Sequence, residues 1–154
     1  MRKRAIPLLL IMVALVAAVS VVVAERLPGS EHGGRPLTAT LTGAAEAPGP
    51  GDADGSGSAT VTLNVGHGEV CWEIHVADIT LPASAAHIHI APVGDAGPVV
   101  VPLSPPDANG DSSGCASGVE RALIRAIMHD PAAYYVNVHN SDFPAGALRG
   151  QLSR

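Results

Sequence analysis

The chain is poor in aromatic residues and, past its third position, has no lysine. Trp72, Tyr134, Tyr135 and Phe143 are the only Trp, Tyr and Phe residues, so a core has to be built from Val, Leu, Ile and Ala. Beyond residue 24, six arginines face fourteen acidic residues, a net charge of −8 with His neutral. An acidic surface without lysine is a poor partner for nucleic acid, whose phosphates need basic contacts, and for anionic lipid. High negative charge serves solubility instead. Motifs for covalent and phosphate chemistry are also missing. There is no Gly-x-Ser-x-Gly elbow and no glycine-rich phosphate loop ahead of a helix. Only two cysteines occur, Cys71 and Cys115, and neither follows the N-terminal apolar run at the place a lipid anchor would need.

That N-terminal run decides the compartment. Arg2, Lys3 and Arg4 precede an 18-residue apolar stretch from Ile6 to Val23, broken only by Pro7 and Ser20. Val22-Val23-Ala24 then places small residues before Glu25, which completes a secretory signal cleaved between Ala24 and Glu25. The alternative is an uncleaved anchor, since the stretch just reaches membrane-spanning length, and this is the only route by which the chain would touch a membrane. Either outcome places the rest of the protein outside the cytoplasm, secreted or in the cell envelope. There a Cys71–Cys115 disulfide is expected.

Residues 25–36, polar and rich in Gly and Pro, read as a flexible linker, and the domain is expected over residues 37–152. Alternating apolar and polar residues predict strands at Leu37–Thr42, Ala59–Val65, Val70–Val76, Ala85–Ile90, Pro98–Leu103, Ala133–His139 and Ala147–Leu152. Gly66-His67-Gly68 makes a hairpin turn between the second and third. One segment has helical spacing instead, with Val119, Ala122, Leu123, Ala126 and Ile127 on one face and Arg121 and Arg125 outside. Ser117 and Glu120 suggest a capping box, and Asp130-Pro131 a stop. The expected fold is all-β, an antiparallel Greek-key-like sandwich with one short helix near residues 118–129.

Strand parity singles out histidines. If Ala86, Ile88 and Ile90 face the core, His87 and His89 face away; Tyr135, Asn137 and His139 follow in the same way, as does His75. Two imidazoles at i and i+2 on a strand project side by side and can share one metal ion, with a third ligand from a neighbouring strand. His139 is the first candidate for that third ligand and His75 the second; copper and zinc are the metals such a site suits. The alternative is that these rings bond backbone and carboxylates on a polar sheet face. No general base stands beside the pair, and no residue is assigned a catalytic role. Asp52–Gly57 and Asp107–Asp111 cluster oxygen ligands around glycine but lack the glutamate of a calcium-binding EF-hand, so ordinary turns account for them.

Five separated segments resemble the CHRD (chordin-type) domain family in order and spacing. They are Thr40-Leu41-Thr42-Gly43-Ala44-Ala45-Glu46-Ala47-Pro48, Ala86-His87-Ile88-His89, Gly97–Leu103, Tyr135-Val136-Asn137-Val138-His139, and Pro144-x-Gly146 with Arg149-Gly150-Gln151-Leu152. The resemblance implies an extracellular β-rich domain of the kind named from chordin, an antagonist of bone morphogenetic proteins. Exported single-domain members look bacterial. The family's His-x-His and Asn-Val-His positions fall on His87, His89 and His139. Two positions depart from the pattern: Ile90-Ala91 replaces a glycine common after the histidine pair, and Ala147 an acidic residue before Arg149. A His-x-His pair on an antiparallel sandwich is also similar to copper–zinc superoxide dismutase, a likeness of fold that assigns no function. Two functional readings result. The first is a non-enzymatic interaction module for an unknown extracellular protein or envelope component. The second is a metal protein built on His87, His89 and His139. They differ in whether the three rings converge on one point.

Overall fold

A computed structural model describes residues 34–154; the signal segment, its Ala24/Glu25 junction and the linker as far as residue 33 lie outside the described residues. Eight antiparallel strands follow: β1 (Arg35–Thr42), β2 (Ser56–Asn64), β3 (Glu69–Ala77), β4 (Ala85–Ile90), β5 (Val99–Leu103), β6 (Asp111–Ser117), β7 (Tyr134–His139) and β8 (Leu148–Gln151). One helix, α1 (Arg121–His129), lies between β6 and β7. The fold is therefore all-β with one short helix. β1 starts at Arg35, so Arg35 and Pro36 belong to the sheet and not to the linker.

The strands form one sheet in the order β5-β4-β7-β8-β1-β2-β3-β6. Its two four-strand halves meet at β8 and β1 through Thr42↔Arg149, with a further bridge at Thr38↔Ser153. The layers of the expected sandwich are thus halves of a continuous sheet that curls nearly into a barrel. Across the open seam the Ser112 hydroxyl donates to the Ser104 carbonyl, while within its own half it accepts from the Trp72 indole N–H. Alternation puts Leu37, Leu41, Val61, Val70 and Ile74 from one half against Ile88, Val136, Val138 and Leu148 from the other.

Three expectations change. β6, absent from the sequence prediction, is a Ser-rich strand that pairs with β3 and sets Cys71 directly opposite Cys115. Those cysteines form the disulfide. The helix buries Ile124 and Ile127, while Ala122 and Ala126 are exposed, so its apolar face is rotated from the one the spacing suggested. No capping box forms: Ser117 is the last residue of β6, and Glu120 makes no side-chain cap. Lastly, the β4–β5 register shifts between Ile88 and His89, and beyond it Ile90 is 38% exposed while the next residue, Ala91, is the buried one. Among the described residues no helix is long and apolar enough to cross a membrane.

Candidate metal centre

β7 is central in its half of the sheet and is covered on both faces. Tyr134, Val136 and Val138 enter the main core, yet Tyr135 and Asn137 on the opposite face are equally buried. The strand register aligns His87, Asn137 and Arg149 in one row across β4, β7 and β8, with His89, Tyr135 and Gln151 in the next. The loop between β4 and β5 folds over these rows. Arg149, 1% exposed, fixes it by donating to the carbonyls of Asp95 and Pro92, at 2.7 and 2.8 Å. The Gln151 amide donates to the Ala91 carbonyl of the same loop. A side chain at Gly97 would run into the Ile90 carbonyl, so only glycine lets the loop lie this close.

Under this cover the histidines meet. One nitrogen from each of His87, His89 and His139 lies within 4.8 Å of the others. His87 Nδ1 and His139 Nε2 are 3.3 Å apart. Ligands about 2.0–2.1 Å from a tetrahedral zinc ion are separated by about this distance. Two backbone carbonyls set the tautomers. His89 Nδ1–H donates to the Gly97 carbonyl at 2.9 Å, and His139 Nδ1–H to that of Pro144 at 3.1 Å. Both Nε2 atoms are then left with lone pairs, the arrangement in which a backbone acceptor orients a metal-ligating imidazole. His139 Nε2 accepts from His87 Nδ1–H, which a metal ion would displace. His89 Nε2 is buried and has no hydrogen-bond partner. Burial lowers the pKa of all three imidazoles, helped for His87 by His89 and for His139 by His87. Neutral rings are the ligating form.

The surroundings hold the rings in place. His89 stacks on Tyr135 at 4.9 Å between centroids, with the planes 9° apart, and the Arg149 guanidinium lies 3.6 Å from the Tyr135 centroid. The Tyr135 hydroxyl accepts from the Gly97 N–H, tying the ring to the loop that orients His89. Glu46, on the loop after β1, accepts from Asn137 Nδ2 at 2.7 Å. Desolvation raises its pKa, against the opposing effects of Asn137 and the Arg149 charge.

His75 is not part of this group. It lies on β3 in the other half of the sheet, 67% exposed, with Nδ1 2.6 Å from Asp111 Oδ1. The aspartate-rich segment that ends at Asp111 is a turn, in which Asp107 Oδ1 accepts from the backbone N–H groups of Asn109 and Asp111. Glu69, Cys71 and Cys115 also lie together, but both sulfurs are used in the disulfide. Parity and the His-x-His spacing located the three converging rings. They gave no role to Glu46, Arg149 or Gln151, although all three stand in the segments that carry the family resemblance. The residue replacing an acidic partner ahead of Arg149, Ala147, is fully buried, and the arginine is held by loop carbonyls instead.

No curated protein sequence matches the chain. The family model of the CHRD domain matches residues 37–152, which takes in all eight strands but for the first two residues of β1. The protein belongs to the CHRD domain family.

Proposed function

We propose that this CHRD domain is an exported metal-binding module that holds one copper or zinc ion on His87, His89 and His139. The observation that carries the reading is the convergence of three imidazole nitrogens within 4.8 Å, with the His89 and His139 tautomers set by backbone carbonyls. A buried imidazole nitrogen with no partner is costly, and a metal ion is the partner that this donor set suits. Three neutral nitrogen ligands without thiolate or carboxylate fit copper and zinc, and leave a coordination position open, unlike the closed four-ligand sites of structural zinc. Export is supported by the N-terminal layout and by the disulfide, which persists in oxidising compartments.

This ordering reverses the one the sequence favours, where an interaction module with an unknown extracellular or envelope partner comes first. Convergence of the three rings is what supports placing the metal reading first. The reading assigns a binding site and no reaction.

Metal analysis of the protein, expressed with its own N-terminal segment and purified from the periplasm without a histidine tag, tests it. Near-stoichiometric copper or zinc is expected in the wild type, and its loss in the His87→Ala/His89→Ala variant. Wild-type protein that stays metal-free after incubation with either ion would overturn the reading.

A further inference from the structure

Asn137 stands beside the three histidines but is not one of the expected ligands. It is 3% exposed, and its carboxamide is half used: Nδ2 donates to Glu46, while Oδ1 is buried with no hydrogen-bond partner. The orientation of the amide follows from Glu46, since a carboxylate accepts and the nitrogen must face it. Register places Asn137 directly opposite His87 on β4 and two residues from His139 on β7, all on one face. Directly opposed side chains on neighbouring strands have Cβ atoms only about 5 Å apart. The residue that carries the unpaired amide oxygen is thus the cross-strand neighbour of one ligand and shares a face with another, and a buried acceptor without a donor is unfavourable enough that native structures rarely keep one.

We infer that Asn137 Oδ1 is the acceptor for a water molecule carried on the open position of the metal. The inference rests on the metal reading above and deepens it. A carboxamide oxygen is a harder donor than imidazole and a weaker partner for copper or zinc, so three nitrogens bind the ion and the oxygen serves its water. Glu46 has the positioning role, holding the amide nitrogen so that the oxygen is free for that water. The open position thereby prefers a ligand that donates a hydrogen bond. Water does so; azide, a small anion with no proton, does not, and has to displace the water with nothing given to Asn137 in return.

The copper(II) form of the periplasmically exported protein supplies the test. Its magnetic resonance spectrum in H2O against D2O reads exchangeable protons on a bound water, and an azide titration followed by the charge-transfer band reads how tightly that water is held. Strongly coupled exchangeable protons are expected in the wild type. Asn137→Leu, which removes the acceptor, is expected to retain copper on its three histidines and to bind azide about five- to tenfold more tightly, the worth of one hydrogen bond. Asn137→Asp keeps an acceptor oxygen and is expected to show no such gain. No strongly coupled exchangeable proton in the copper-loaded wild type overturns the inference, whether or not the leucine variant folds; the Nδ1–H protons of His89 and His139 exchange too but lie on the far side of their rings and couple weakly. So does unchanged azide affinity in a folded leucine variant, and so does a copper affinity in it lower by far more than the roughly hundredfold that loss of an outer partner costs, which would make Asn137 a direct ligand. Failure of the wild type to take up copper or zinc would instead sink the metal reading itself.

Discussion

Replacing Arg149 with methionine should be the most damaging single change on the outer face of the sheet. The side chain is 1% exposed, and its guanidinium donates to the Asp95 and Pro92 carbonyls and to Gln151 Oε1 while lying 3.6 Å from the Tyr135 centroid. Hydrogen bonds from a charged donor contribute about 1.5–3 kcal/mol each, and a desolvated cation–π contact about 2. The sum overstates the loss, because Pro92 and Asp95 lie on an exposed loop whose carbonyls recover water once it lifts. Glu46 loses the favourable field of the Arg149 charge. A loss of about 4 kcal/mol is expected, in the range for breaking a buried charge arrangement from one side. For a domain of this size that lowers Tm by about 12–20 °C. Arg149→Lys should recover only a minor part, because one ammonium cannot serve two carbonyls and stack on a ring. Urea unfolding at pH 7 measures both variants. A loss below about 1 kcal/mol for Arg149→Met would refute the assignment of this arginine as the clamp of the loop between β4 and β5. Because that loop supplies the Gly97 carbonyl to His89, metal affinity should also fall, by about 10–100-fold.

Two further outcomes follow from the same contacts. Removing the disulfide by Cys71→Ala/Cys115→Ala opens a link across 44 residues and should cost about 4 kcal/mol in the chain-entropy model, read as a lower urea midpoint; a wild type whose midpoint does not change under reductant would contradict it. The metal-free protein should lose stability on acidification. His87, His89 and His139 have pKa values lowered by burial, so the unfolded chain binds more protons once pH drops below its ordinary value of 6.5. Glu46, whose pKa is raised, acts in the opposite direction: its folded form keeps a proton that the unfolded chain releases above 4.5, so its contribution grows as pH falls toward that value. The two are separable by variant. His87→Ala/His89→Ala should flatten the loss between about pH 7 and 5.5, and an unchanged slope there would show that the imidazoles are not its source.

What could be read from the sequence was what alternation controls. In β3 every second side chain enters the core, and in β4 Ala86 and Ile88 do although Ile90 does not, so the opposite-facing set, including His87 and His89, followed from parity alone. β6 was illegible because Asp111-Ser112-Ser113-Gly114-Cys115-Ala116-Ser117 has neither branched nor aromatic residues. Its strand conformation comes from pairing with β3 at the sheet edge, and Cys115 opposite Cys71 was the one trace of it. The helix face was misjudged for a related reason: alanine suits the inside or the outside, and the larger Ile124 decided the rotation.

The centre was legible as a trio of rings and illegible as a site, because what makes it one is long-range. Parity says that Tyr135, Asn137 and His139 face away from the main core, and the ordinary expectation for such a face is solvent. Here the loop between β4 and β5 and the one carrying Glu46 cover it, and the residues that fasten them are polar: Arg149 and Gln151 to carbonyls, Asn137 to Glu46. A covering layer made from backbone carbonyls and a few charged side chains leaves no hydrophobic pattern in the sequence. It does leave a requirement that buried polar groups be paired, and that requirement exposes the exceptions. Three buried side-chain atoms among the described residues lack partners, and two of them, His89 Nε2 and Asn137 Oδ1, belong to this one face. Both are lone pairs, which neither adjacent imidazole can satisfy while its own N–H is donated to a carbonyl or to the other ring. A cation, with a water on its open side, answers the nitrogen and the oxygen together.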